Sequence, residues 1–423
     1  MKTIPRASNL DAAVEAPPSK SLSVRALLLA AMAEGETTVL NPLDADDTRY
    51  AVDALRKIGF AVEGSFRDGL RIGPRVTMSA NEVELFVGNA GTAMRFLTGW
   101  LAFVPGRFIL RGDARMHERP IGELVDSLRM LETEVEYLER EGFPPIVLRG
   151  RRMRGGIEVE IEGDRSSQFV SSLMMAGATL PDGIAIRVTS LSSRPYVDLT
   201  AGILREFGAT VQEDEPDLFR VRGPLLRRDP YPVEGDWSSA SYWVAAPLAA
   251  GGSVTIRGLR LDSDQGDRRI LEIVEAMGAS IERAADRITV RRTGPLRGGT
   301  FDCNATPDLV PTLAAIAPLA GTPVELTRIG TLRIKESDRI AVLARELRKL
   351  GARVDEQHDS LRIHPGWEAG PATIDPEGDH RIAMAFAVAG LARGGVSIDH
   401  EQVVGKSYPR FWKILDEVAA TGR

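Results

Sequence analysis

Lysine, arginine, serine, glutamine and aspartate recur in this chain in short polar runs placed directly ahead of apolar ones. Lys20, Ser21 and Arg25 lie in PSKSLSVR, Asn89, Gly91, Thr92 and Arg95 in GNAGTAMR, and Ser166, Ser167 and Gln168 in GDRSSQF. Further on come Asp308 in ATPD, Lys335, Glu336, Asp338 and Arg339 in RIKESDR, Asp379, His380 and Arg381 in GDHR, and Lys406 in GKSYP. Arg119 in HERPIG and Ser193 to Tyr196 in SRPY precede amphipathic runs instead. A Ser or Asp in front of a helix is ordinarily a cap, and Glu336 with Arg339 at i, i+3 could be a surface ion pair. Capping explains Ser, Thr and Asp. It does not explain Lys and Arg at the positive end of a helix, where the dipole opposes them. Cations gathered there make sense around an anion, which the unpaired N–H groups of the first turn also attract. The chemistry expected is binding of anionic small molecules, with Lys, Glu, Asp and His at hand for proton transfer.

The choice of basic residue points the same way. Of 53 Lys and Arg, seven are lysine: Lys2, Lys20, Lys57, Lys335, Lys349, Lys406 and Lys413. A compact ammonium can donate a proton where a guanidinium cannot, and Lys20, Lys335 and Lys406 all fall in the polar runs. A net charge of −6 argues against nucleic acid as a partner, which requires a broad basic surface. The single cysteine, Cys303, excludes an internal disulfide framework and a multi-cysteine metal site. The start, MKTIPRASNL, has no apolar run of the secretory kind. No stretch approaches the roughly 18 apolar residues of a membrane span. We therefore expect a cytoplasmic enzyme without a membrane partner; a monomer is the expectation for its assembly, although none of these features bears on it.

The elements that must position these residues repeat along the chain. A length of 423 residues suggests two domains of about 200 each. One signature is a helix end running into a strand: LRKIGFAVEG from Leu55, LRMLETEVEY from Leu128, LREFGATVQE from Leu204, VEAMGASIER from Val274 and LRKLGARVDE from Leu347. In four of these a Gly stops the helical period before alternation begins. The second signature is the polar loop opening an apolar helix, at Ser19, Asn89, Ser166, Ser238, Thr306 and Gly378, a spacing of roughly 70 residues that marks six copies of one unit. A last copy of the other helix covers Tyr408–Val418. Runs such as ALLLAAMA, LMMAGA, WVAAPLAA and IAMAFAVAGLA are apolar on every side and predict buried helices. Six of them suggest two bundles of three, each walled by short sheets.

At these residues the chain resembles the 5-enolpyruvylshikimate-3-phosphate synthase family (the 3-phosphoshikimate 1-carboxyvinyltransferases) over essentially its whole length. GNAGTAMR and RIKESDR are the most specific pieces, supported in order by PSKSLSVRALLLAA, RMHERPIG and GDHRIAMA. The resemblance implies an α/β fold of two domains, each of three βαβαββ units in an inside-out α/β barrel, with substrates bound in the interdomain cleft. It places 1–18 and 234–423 in a first, discontinuous domain and 19–233 in a second. It also implies phosphoenolpyruvate and shikimate 3-phosphate as substrates, and neither metal nor organic cofactor.

Carried over by motif, the shikimate 3-phosphate site is Lys20, Ser21, Arg25, Ser166, Ser167, Gln168, Ser193, Tyr196, Asp308 and Lys335. Phosphoenolpyruvate falls to Lys20, Gly91, Arg119, Gln168, Arg339, Arg381 and Lys406. The resemblance sets Asp308 beside the shikimate 5-hydroxyl and makes Glu336 and Lys20 proton carriers, with His380 assisting Glu336. Two positions depart from the family pattern: Thr331, where many relatives have Asn, and Phe96, where Pro is frequent. The NAGTA form with Gly91 resembles the glyphosate-sensitive class. A sister activity, enolpyruvyl transfer to UDP-N-acetylglucosamine, typically uses a mobile-loop cysteine. Cys303 lies instead in FDCNATPD, just upstream of Asp308, which disfavours that reading. A sliding clamp on DNA also has six repeats, but it would need a basic surface spread over all of them.

Overall fold

The computed structural model describes residues 1–75, 82–368 and 370–422. The chain divides into two compact units, Pro18–Val233 and the pair of segments Met1–Pro17 and Glu234–Arg423. Each has its own apolar core, with Phe96, Phe108, Phe169 and Phe207 in the first and Trp237, Trp243, Phe386 and Phe411 in the second.

Within Pro18–Val233 two kinds of helix alternate: α1 (Lys20–Met32), α2 (Asp46–Ile58), α3 (Gly91–Leu101), α4 (Gly122–Met130), α5 (Ser167–Gly177) and α6 (Arg194–Glu206). The odd-numbered helices are buried nearly all round and the even-numbered ones bury one stripe, as their compositions require. Three four-stranded sheets share one plan. Glu82–Phe86 runs parallel to Gly106–Arg111 with α3 as the crossover, and Ile146–Gly150 and Glu134–Tyr137 follow antiparallel. A parallel pair needs a helix-length connection, while antiparallel strands need only a turn. The sheets alternate buried and exposed residues, as Glu82–Phe86 does, so one face lies on the helices and the other meets water. Helices are inside and sheets outside. Among the described residues the strands form separate open sheets and do not close into one ring.

The second unit repeats the pattern with α7 (Trp237–Ala250), α8 (Ile270–Ala276), α9 (Val310–Ile316), α10 (Arg339–Lys349), α11 (His380–Arg393) and α12 (Phe411–Ala420). Every residue of α7 is buried. The last helix starts at Phe411, three residues later than expected, because Pro409 and Arg410 form a turn ahead of it. The chain's discontinuity has a plain cause in strand pairing. Leu10–Glu15 runs parallel to Gly252–Arg257 in this unit, while Tyr231–Pro232 supplies the equivalent strand beside Thr37–Leu40 in the other.

Helix ends confirm the stop signals. Gly59, Gly208, Gly278 and Gly351 all take positive φ, the left-handed conformation in which glycine pays no Cβ penalty. In the remaining copy, that from Leu128, Glu132 does the same at φ 56°. Thr133 N–H still donates to Leu128 C=O at 3.0 Å, as Ala209 does to Leu204 and Ala352 to Leu347.

Candidate active site

In the second unit four segments far apart in sequence bring their charged residues together. Asp308 stands on a 3₁₀ turn, Pro307–Leu309, just ahead of α9. Its Oδ1 accepts from Arg339 Nη1 at 2.9 Å and its Oδ2 from Arg381 Nη2 at 2.7 Å. Arg339, the first residue of α10, is 1% exposed. Its Nη2 donates to Glu336 Oε2 at 2.9 Å and its Nε to Asp379 Oδ2 at 2.7 Å. Asp379 caps α11 by accepting from Arg381 N–H at 2.9 Å. Lys406 Nζ lies 3.9 Å from Glu336 Oε1, and His380 is fully buried with Nδ1 3.8 Å from Asp379 Oδ1. The Glu336/Arg339 pair is therefore a buried contact in a network rather than a surface bridge.

This packing sets protonation. Burial draws the Asp308 carboxyl upward, but Arg381, Arg339 and Lys335 outweigh it and hold it well below the usual carboxylate range. Burial works against the Arg339 charge, and Asp379, Glu336 and Asp308 more than reverse that. Asp267 behaves oppositely. Burial first, and then the Asp308 charge, push its carboxyl up to about 7, while Ser238 Oγ donates to Oδ2.

The first unit carries further cations on its polar loops. Lys20, first residue of α1, meets Asp47 Oδ2 at 3.0 Å. Arg119 ends the 3₁₀ turn Met116–Glu118, and its Nη1 donates to Asn89 O at 3.0 Å and Asn89 Oδ1 at 2.7 Å. The loop bearing Arg119 is tied down by Arg95, whose Nη2 donates to Pro120 O at 2.7 Å. Gln168 on α5 reaches Thr92 Oγ1 on α3 at 3.2 Å, and Ser166 caps α5. Ser193 takes φ 53° ahead of α6, and Tyr196 N–H donates to its carbonyl. Ser21 O and Tyr196 O both accept from Arg25.

Gly91 has two readings from its residue type alone, a positive φ or close approach to the backbone. It is absent from the residues of positive φ. What fills the space is protein: a Cβ there would lie 2.5 Å from Arg119 Nη2 and 2.9 Å from Arg95 Nη1. The residues that sequence reasoning missed are mostly partners. Asp47 reads as a first-turn acid of α2 and Thr200 as an ordinary helix residue. Tyr242, in the fourth polar-loop helix, is buried beside Arg381; burial pushes its phenol up and Arg381 opposes this. Only the six-fold repeat hints at it. Among the described residues no group of three His, Cys, Asp or Glu is placed to hold a metal ion, and no helix is long and apolar enough to cross a membrane.

The fold is that of the enolpyruvyl transferases. It is similar to a solved EPSP synthase from Acinetobacter baumannii, at TM-score 0.81 and 26% identity over 99% of this chain and 98% of that one. It also shares the fold of an enolpyruvyl transferase from Streptomyces tendae, at TM-score 0.79 and 19% identity over 99% and 98% of the two chains. The family model for EPSP synthase (3-phosphoshikimate 1-carboxyvinyltransferase) matches residues 4–415. Curated relatives named 3-phosphoshikimate 1-carboxyvinyltransferase include one from Methanoculleus marisnigri, 43% identical over 96% of each chain, and one from Shewanella pealeana, 41% identical over 96% of each. The chain belongs to the EPSP synthase family, enzymes of the transferase class.

Proposed function

We propose that this enzyme transfers the 1-carboxyvinyl group of phosphoenolpyruvate to the 5-hydroxyl of shikimate 3-phosphate and releases phosphate. The observation that supports it most is the cluster of Asp308, Glu336, Arg339, Arg381 and Lys406 from separate segments, a charged site with acids and bases in contact and with the Lys335 charge acting on Asp308. In the addition step the hydroxyl oxygen attacks C2 of the enol, losing its proton while C3 gains one, to give a tetrahedral ketal. In the elimination step the C2–O bond to phosphate breaks, C3 returns a proton and the methylene is restored. Such a sequence needs a base, an acid and cations to offset phosphate and carboxylate charge.

Glu336 and Lys20 suit the proton transfers, with His380 assisting Glu336. Asp308, held ionised by three cations, suits orientation of the 5-hydroxyl. An arriving anion that takes Arg381 or Arg339 from it would raise its basicity where a proton must be accepted. In this reading Lys20, Gly91, Arg119, Gln168, Arg339, Arg381 and Lys406 hold phosphoenolpyruvate. Lys20, Ser21, Arg25, Ser166, Ser167, Gln168, Ser193, Tyr196, Asp308 and Lys335 hold shikimate 3-phosphate. The NAGTA form with Gly91 makes glyphosate sensitivity the expectation for this reaction, and a glyphosate titration tests it.

The deciding assay is phosphate release from phosphoenolpyruvate with shikimate 3-phosphate, run beside UDP-N-acetylglucosamine. Release with the first acceptor alone is expected; release with the second alone would overturn the proposal. Cys303 argues against the second acceptor, since burial pushes its thiol up to about 12, far from a reactive thiolate. Asp308→Ala and Glu336→Gln should each abolish turnover, and a near-native rate from either removes that residue from the mechanism.

A further inference from the structure

Phe96 stands where the family frequently has Pro, and in this structure its ring lies against a proposed substrate ligand. The Arg25 Cζ is 4.9 Å from the ring centroid; Phe96 is fully buried and Arg25 is 2% exposed. The guanidinium is the meeting point of several helices. From α1, its Nη1 donates to Ser21 O at 3.1 Å. Towards α6, Nε donates to Thr200 Oγ1 at 2.8 Å and Nη2 to Tyr196 O at 3.2 Å. Thr200 in turn donates to Ser171 Oγ of α5 at 2.9 Å, and Phe96 supplies the face from α3.

Every one of these acceptors is neutral. Among the described residues no carboxylate forms an ion pair with Arg25, in contrast to Lys20 with Asp47 and Arg339 with its three acids. Burial accordingly pulls its charge-holding ability down, to a pKa of about 10. A buried cation without a counter-charge is costly. A carboxylate would relieve that cost but would also compete with any anionic substrate. An aromatic face attracts the cation without neutralising it.

We infer that Phe96 is a positioning residue for Arg25, holding the guanidinium in place for shikimate 3-phosphate without a competing acid. This rests on the reading of Arg25 as a shikimate 3-phosphate ligand. The test replaces Phe96 by Leu and, separately, by 4-fluoro- and pentafluorophenylalanine, which keep the ring while draining its negative face. KM for shikimate 3-phosphate should rise in step with fluorination and by roughly 2- to 30-fold in Phe96→Leu, the range of a cation–π contact. KM for phosphoenolpyruvate should stay within about twofold. Unchanged KM for shikimate 3-phosphate in the pentafluoro variant would overturn the inference. So would a parallel change in both KM values with a lowered Tm, which would mark Phe96 as packing alone. Wild-type enzyme in the same assay separates the two readings: no turnover with shikimate 3-phosphate removes the function itself, whereas an active wild type with unresponsive variants removes only the role of Phe96.

Discussion

The Arg119 guanidinium occupies the volume that a side chain at Gly91 would need. A Cβ would stand 2.5 Å from Nη2 and 2.9 Å from Cζ, distances that real Cβ contacts do not reach. Because Gly91 is helical, Ala meets no backbone strain there, and the nearest groups that Gly91→Ala strikes are the two arginines. We expect Arg119 to be displaced from Asn89 and KM for phosphoenolpyruvate to rise about 10-fold, the equivalent of one charge-assisted contact of about 1.5 kcal/mol. Steady-state kinetics check this, and an unchanged KM would show that Arg119 does not hold that substrate.

Arg339 joins Asp308, Glu336 and Asp379 in a buried network. Arg339→Met leaves three acids without their shared cation, so both turnover and stability should fall, the latter by about 3–5 kcal/mol. The pH dependence has a definite sign. Asp308 has a depressed pKa in the folded protein, so its stabilising contribution is present above the ordinary carboxylate range and is lost as pH falls. The gap in Tm between wild type and variant should narrow on acidification. A gap that widens would contradict the network.

Asp267 titrates the other way. With its folded pKa raised to about 7, the native state holds a proton that the unfolded chain releases near pH 4. Its contribution is therefore most favourable below about pH 4, declines as pH rises towards about 7, and stays low above that. Asp267→Asn keeps an acceptor for the Ser238 hydroxyl and removes the titration. Thermal melts from pH 4 to 8 should show the variant gaining on wild type as pH rises; parallel curves would refute the shift.

Glu132 takes φ 56° at a helix end where the other repeats use glycine. A left-handed non-glycine residue costs about 1–2 kcal/mol, and its exposed bridge to Arg151 at 2.6 Å returns little. Glu132→Gly should stabilise the protein by about 0.5–1 kcal/mol in denaturant titration and leave turnover unchanged. A loss of stability would mean that the Arg151 contact outweighs the backbone term.

Much of this protein is written in short stretches of sequence. The glycine stops at 59, 208, 278 and 351, the all-apolar helices and the polar loops ahead of them are set by local backbone and burial preferences. The six-fold repeat, the inner and outer helices and the loops bearing Lys20, Gly91, Asp308 and Arg381 could accordingly be read along the chain. Cations at helix starts likewise announced an anion-binding chemistry, because the dipole disfavours them unless something offsets their charge.

Pairing was decided elsewhere. Arg25 and Thr200 are 175 positions apart, and nothing local tells a buried guanidinium which neutral groups will receive it. Gly91 read as room for a bent backbone or a ligand, yet that room is taken by Arg119. Arg339 resembled half of a surface bridge until α9, α10 and α11 enclosed it among three carboxylates. Ionisation belongs with these cases, since burial and the nearest charge act through space: Asp308 and Asp267 are the same residue type, shifted in opposite directions by the neighbours the fold gives them. The sequence by itself determined the elements and the kind of chemistry their loops carry. Only tertiary structure decided which charges meet, because the energy of a charge depends on what lies within a few ångströms of it and not on what lies beside it in the chain.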